Sequence, residues 1–202
     1  MNRSKTYNLV ILAMFVCIEL TLMLTPLGYI PIGPIRATTM HIPVIIAGLV
    51  LGKKEGAFIG FVFGLTSVVI NTISPTVVSF VFTPFYSFGE FSGNGLSLII
   101  ALVPRILLGY TSGWLNGKIS TNLKVAKTGV IAIGVTLMHT ILVLTGIYVF
   151  FGQSYAMARE IPYQTLITVI GGIILSNGIM EAVLAGVTSV AITQALSHVR
   201  RD

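Results

Sequence analysis

Arg105 stands in the middle of the apolar run "LSLIIALVPRILLGYTSGWL". At the centre of a bilayer a charged side chain costs roughly 2.5–3.5 kcal/mol even on a lenient scale, so such a group faces a partner or a cavity. His139, Asn177 and Glu181 interrupt other apolar runs in the same way. A permanent cation, an imidazole, an amide and a carboxyl can together hold a small anionic or polar molecule. They can equally satisfy one another, with Arg105 and Glu181 as a structural ion pair and Asn177 bridging helices. Asn71 ends a third apolar run, where it can cap the helix or contact a ligand. Glu19, inside the first run, reads as a packing or helix-pairing residue.

No other chemistry is written in the chain. There is no HExxH, no GxSxG and no P-loop, and the single cysteine, Cys17, excludes both a disulfide framework and a metal-type spacing. The expectation is a protein that is not an enzyme, carries no metal or cofactor, and cannot power transport alone.

The elements that position these groups must be membrane helices. Of 202 residues, 54% are hydrophobic and 9% charged, against about 25% charged in soluble domains. That leaves too little polar surface to cover a core in water. The length allows one domain, residues 1–202, and the expected class is an all-α, polytopic integral membrane protein. The net charge of +6 is scattered over short loops, which argues against a nucleic-acid stripe. Arg3 and Lys5, then Lys53 and Lys54, then Lys118, Lys124 and Lys127, and finally Arg200 and Arg201 fall at alternate ends of the apolar runs. The other loops hold only Arg36 and Arg159. By the positive-inside rule both termini are cytoplasmic and the number of spans is even. The first run lacks a cleavage pattern and reads as a retained helix, not a signal peptide.

Six spans are expected: 8–25, a short one at 40–51, one ending near Asn71, then 96–115, 128–151 and 165–196. Between the first two, "PLGYIPIGPIRATT" has too many prolines and glycines for a regular helix. Residues 72–95 are too apolar and aromatic for a solvated loop yet broken by Pro75 and Pro84, and read as a lid over a pocket. Gly56, Gly60 and Gly64, and Gly109, Gly113 and Gly117, are ladders that let helices approach closely. At a rise of about 1.5 Å per residue, Arg105 lies ~14 Å, Asn177 ~18 Å and Glu181 ~24 Å from the outer end, with His139 near the middle of its helix.

The block "GPIRATTMHIPVIIAGLVLGKKEGAFIGFVFGLTSVVINTISPTVVSFVFTPF", with "ALVPRILLG" and "NGIMEAVLA", resembles the S components of energy-coupling factor (ECF) vitamin transporters, most of all those for pantothenate. The resemblance covers nearly the whole chain. It implies a bacterial plasma-membrane subunit that binds its vitamin from outside and topples in the bilayer to release it. The implied partners are an ECF module of one transmembrane scaffold protein and two ATPases. Small residues of the first helix meet the scaffold in that family; Ala13 and Cys17 match them, with cysteine in place of the usual second alanine. The family pocket lies where Arg105, His139, Asn177 and Asn71 would fall, which implies that Arg105 takes the carboxylate and the others take the hydroxyls and amide. Glu181 would neutralise or orient Arg105. A competing class is a stand-alone ion-coupled transporter in which Glu181 and His139 relay protons; another water-soluble vitamin is the nearer alternative.

Overall fold

The computed structural model describes residues 3–32, 35–121 and 123–199. Seven α-helices account for most of them: α1 (Arg3–Leu24), α2 (His41–Leu51), α3 (Lys53–Ile73), α4 (Gly95–Lys118), α5 (Lys124–Ala158), α6 (Leu166–Ile173) and α7 (Ile179–Val199). A π-helical turn, Ile174–Gly178, joins α6 to α7, so the two form one interrupted rod. Among the described residues, five segments are long and apolar enough to cross a membrane: Thr6–Leu24, Lys53–Ile73, Gly95–Lys118, Lys124–Ala158 and Tyr163–Leu196. These five, with the short α2, occupy the expected positions of the six apolar runs.

At eleven residues α2 is only about 16 Å long, half a hydrocarbon thickness. Protein surrounds it: every residue from His41 to Gly48 is buried, against α3, α4 and α7. Gly52, at φ 119°, makes the reversal from α2 into α3, a backbone conformation that an L side chain resists. The α3–α4 seam is closer still. A Cβ on Gly56 would overlap the Gly109 carbonyl, and one on Gly60 would overlap the carbonyl of Arg105. The ladders are therefore packing devices, except that Gly117 has nothing within 4 Å of a Cβ.

Lys53, Lys118, Lys124 and Lys127 gather at one end of the bundle, around clefts that also take in Trp114 and Asn116. Arg200 and Arg201, expected at the same end, lie outside the described residues. The opposite end carries two hairpins. The first, β1 (Tyr29–Ile32) with β2 (Ile35–Thr38), pairs antiparallel with Pro31 opposite Arg36. It occupies the stretch expected not to form a regular helix; a two-stranded ribbon has only edges, and an edge tolerates proline. The second, β3 (Ser87–Phe88) with β4 (Phe91–Ser92), turns at Gly89, φ 58°.

The expected end of the fifth span at 151 is too early. α5 runs to Ala158, because the Gly152–Gln153–Ser154 stretch leaves the apolar run without breaking the helix. Termination comes at Glu160, φ 57°, just before Pro162.

Two cores hold the bundle. One, around α2, combines Met40, Val44, Ile45, Ile59, Phe63 and Leu108. The other, at the hairpin end, packs Phe80 and Val81 of the 72–95 segment against Ile147, Phe151 and Leu166. That segment is thus anchored in the protein through residues 79–81, while the second hairpin stays exposed.

Candidate functional site

Pro104, inside α4, immediately precedes Arg105. Proline has no N–H, so the carbonyl four residues earlier, that of Ile100, loses its helical donor. Helical side chains lean toward the N-terminus. Arg105 does so, and its Nη1 donates to the Ile100 oxygen. The guanidinium also lies near two aromatic rings, 5.5 Å from the centre of Phe63 of α3 and 5.5 Å from that of Phe82 of the 72–95 segment. Such contacts contribute ~2 kcal/mol or more where water is excluded. Arg105 is 7% exposed. The closed end of the bundle therefore covers its cation with Phe82.

Phe63 is shared. Its other neighbour is the His139 ring of α5, at 6.3 Å between centroids. His139 is buried, with Nε2 making no hydrogen bond. It feels the charge of Arg105 and also faces His41, the first residue of α2. His41 is 1% exposed. Its imidazole faces the backbones of Thr38 and Glu181, but neither approach meets hydrogen-bond geometry, so both ring nitrogens are unsatisfied. Glu181, near the start of α7, completes the group. Its Oε1 accepts from the Thr38 backbone N–H at 2.7 Å and from the Thr38 hydroxyl at 3.3 Å. It too lies within the field of Arg105. The carboxylate therefore pins the end of the first hairpin to α7.

Of the five expected site residues, the buried Arg105 and His139 and the half-buried Glu181 therefore form one group around the guanidinium. Asn71 stands apart from it. Its Nδ2 donates to the Ser67 carbonyl at 2.8 Å, and its Oδ1 accepts from the Ser79 hydroxyl at 2.7 Å. Ser79 in turn accepts from the Thr76 N–H at 2.9 Å. Two further bonds fasten the same segment, Thr72 to Thr83 at 2.7 Å and Ser97 to the Phe80 carbonyl at 2.7 Å. Asn177 lies on the π turn, half-buried and one turn from Glu181. A π turn offsets the backbone by one residue and is frequent at functional sites.

His41 and the two phenylalanines are the residues that sequence reasoning passed over. A histidine opening the apolar run "HIPVIIAG" was the available signal for His41. Nothing in the sequence marks Phe63 or Phe82 among eleven phenylalanines.

Ala13 and Cys17 are exposed on α1, which buries only 11% of its most apolar window. A cleft of about 460 Å³ lined by Asn116, Lys124, Lys127 and Gln194 lies at the basic end of the bundle, separate from the Arg105 band. Among the described residues no group of three or more His, Cys, Asp or Glu is placed to hold a metal ion.

Comparison with known proteins gives concordant results. The family model for the ECF transporter, substrate-specific component, matches residues 7–193. A pantothenic acid transporter, PanT, of Lactococcus lactis subsp. cremoris is 36% identical over 205 residues, covering 100% of each chain. A pantothenate transporter, also PanT, of Leuconostoc mesenteroides subsp. mesenteroides is 30% identical, covering 95% of this chain and 92% of its own.

Proposed function

Because this chain belongs to the family of ECF transporter substrate-specific components, we propose that it captures pantothenate for an ATP-driven importer in the bacterial plasma membrane. The observation that carries the reading is Arg105, a buried guanidinium in contact with the rings of Phe63 and of Phe82 from the 72–95 segment. Pantothenate has one carboxylate, two hydroxyls, an amide and a gem-dimethyl group. Arg105 offers the carboxylate a planar, permanently charged fork, whose pairing strengthens as water leaves. His139 and Asn177 serve the hydroxyls and amide. Aromatic side chains of the 72–95 segment cover the gem-dimethyl carbon. Glu181 sets the charge balance behind Arg105 and anchors the first hairpin. Asn71 acts through the lid that it fastens.

The chain carries no nucleotide motif, so energy comes from an ECF module of one scaffold protein and two ATPases. The exposed small residues Ala13 and Cys17 of α1 form the face for the scaffold. The lysine-rich end faces the cytoplasm, both termini with it, and the polypeptide crosses six times with α2 as the short, protein-wrapped crossing.

The test is calorimetry of the purified protein against a panel of water-soluble vitamins. Pantothenate should bind with nanomolar to low-micromolar Kd. Heat with a different vitamin and none with pantothenate would keep the family and overturn the substrate. Uptake by vesicles containing this chain alone, abolished by an ionophore, would instead support an ion-coupled carrier using Glu181 and His139.

A further inference from the structure

We propose that Pro104 is a positioning residue for anion selection: by leaving the Ile100 carbonyl without its helical donor, it fixes the in-plane orientation of the Arg105 guanidinium. The inference rests on the reading that Arg105 receives the carboxylate of pantothenate.

The argument is geometric. Phe63 and Phe82, each with its ring centre 5.5 Å from the guanidinium carbon, attract the cation without fixing which N–H edge it presents. Stacking energy varies little as a flat cation turns over a ring, because the attraction is to the face as a whole. A hydrogen bond made in the plane removes that rotation, and the one from Nη1 to the Ile100 oxygen is such a bond. A carboxylate binds arginine through two parallel in-plane N–H groups, so its affinity depends on which edge is presented. In an unbroken helix the Ile100 oxygen would accept from the backbone N–H of residue 104. Pro104 withholds that donor and turns a structural carbonyl into an acceptor for the neighbouring side chain. Gly60 supports the arrangement from outside, because its missing Cβ lets α3 lie against the Arg105 backbone.

Pro104→Ala restores the backbone donor with only a small loss of side-chain volume at a buried position. The guanidinium then keeps its charge and both rings but must share the Ile100 oxygen with a backbone N–H, which weakens the bond that orients it. The experiment measures Kd for pantothenate and for its uncharged alcohol analogue, with melting temperature alongside. Wild type should prefer the acid. In Pro104→Ala the ratio of the two affinities should narrow by ~3- to 10-fold, the size of effect expected for one charged hydrogen bond used in orientation. In an Arg105→Ala background the same substitution should leave the ratio where Arg105→Ala alone puts it, because Pro104 acts through Arg105.

An unchanged ratio in Pro104→Ala overturns the proposal. So does a widened ratio, which would mean that the carbonyl competes with the ligand. An equal further shift in the Arg105→Ala background also overturns it, by placing the effect elsewhere. If Pro104→Ala does not fold, Pro104→Ser also restores the N–H and is read by the same criteria. Wild type without preference for the acid would instead refute the carboxylate reading itself.

Discussion

Ser79 donates a 2.7 Å hydrogen bond to the side chain of Asn71, and this bond fastens the 72–95 segment to the end of α3. Both polar ends of the Asn71 side chain are engaged there, Oδ1 by Ser79 and Nδ2 by the Ser67 carbonyl. Asn71→Ala and Ser79→Ala should each weaken pantothenate binding by about 5- to 30-fold, chiefly through faster dissociation. Because they remove the same latch, the double variant should be little worse than either single one. Additive losses measured in stopped-flow release would mean that Asn71 touches the vitamin.

Arg105→Lys keeps the charge but loses the planar fork, and should weaken binding of the acid; Arg105→Ala should weaken it more. Losing a desolvated charged partner typically costs about 2–5 kcal/mol, or roughly 30- to 4000-fold in Kd. A folded Arg105→Ala protein that still prefers pantothenate over its alcohol would place the carboxylate elsewhere.

His41 carries two buried nitrogens that make no hydrogen bond. Each such group costs about 1–3 kcal/mol, a penalty that folding alone does not repay. Leucine fills a similar volume without polar atoms. His41→Leu should therefore leave the melting temperature unchanged or raised, while pantothenate affinity drops about tenfold. A lowered melting temperature with wild-type affinity would make His41 structural.

Replacing Ala13 or Cys17 with tryptophan should spare vitamin binding and reduce uptake by the assembled importer. Both side chains are exposed on α1, so the isolated subunit has room for the larger ring. Wild-type uptake from both variants would move the scaffold contact to another face.

Two glycines of similar sequence context should behave oppositely. A Cβ at Gly60 overlaps the Arg105 carbonyl, so Gly60→Ala should cost roughly 1–3 kcal/mol in stability. Gly117 has open space around it, and Gly117→Ala should be neutral or stabilising by up to about 1 kcal/mol. Thermal melts in detergent decide between these outcomes.

The helices were legible because lipid demands long apolar runs, and the turn chemistry at Gly52 and Pro26 punctuates them. Arg105, His139 and Glu181 were legible because charge and imidazole in such runs are costly. The hairpin at 29–38 was not, since its strands are too short and too rich in proline to show an alternating pattern. The continuation of α5 past Phe151 was hidden by equating the edge of the apolar run with the end of the helix. The role of Asn71 depends on Ser79, eight residues away across a bend, and no local pattern encodes that pairing. The rings around Arg105 come from separate elements and are visible only once those elements meet.

The eleven residues of α2 have a consequence for how the protein is made. A nascent segment so short does not partition into a bilayer by itself, whatever its hydropathy. Its resting place between α3, α4 and α7 does not exist until those helices have been synthesised. During translation α2 must therefore wait at the membrane surface or ride in as half of a hairpin with α3, turning at Gly52. The cradle closes around it only when the last helix leaves the ribosome, which makes its docking a late event in biogenesis.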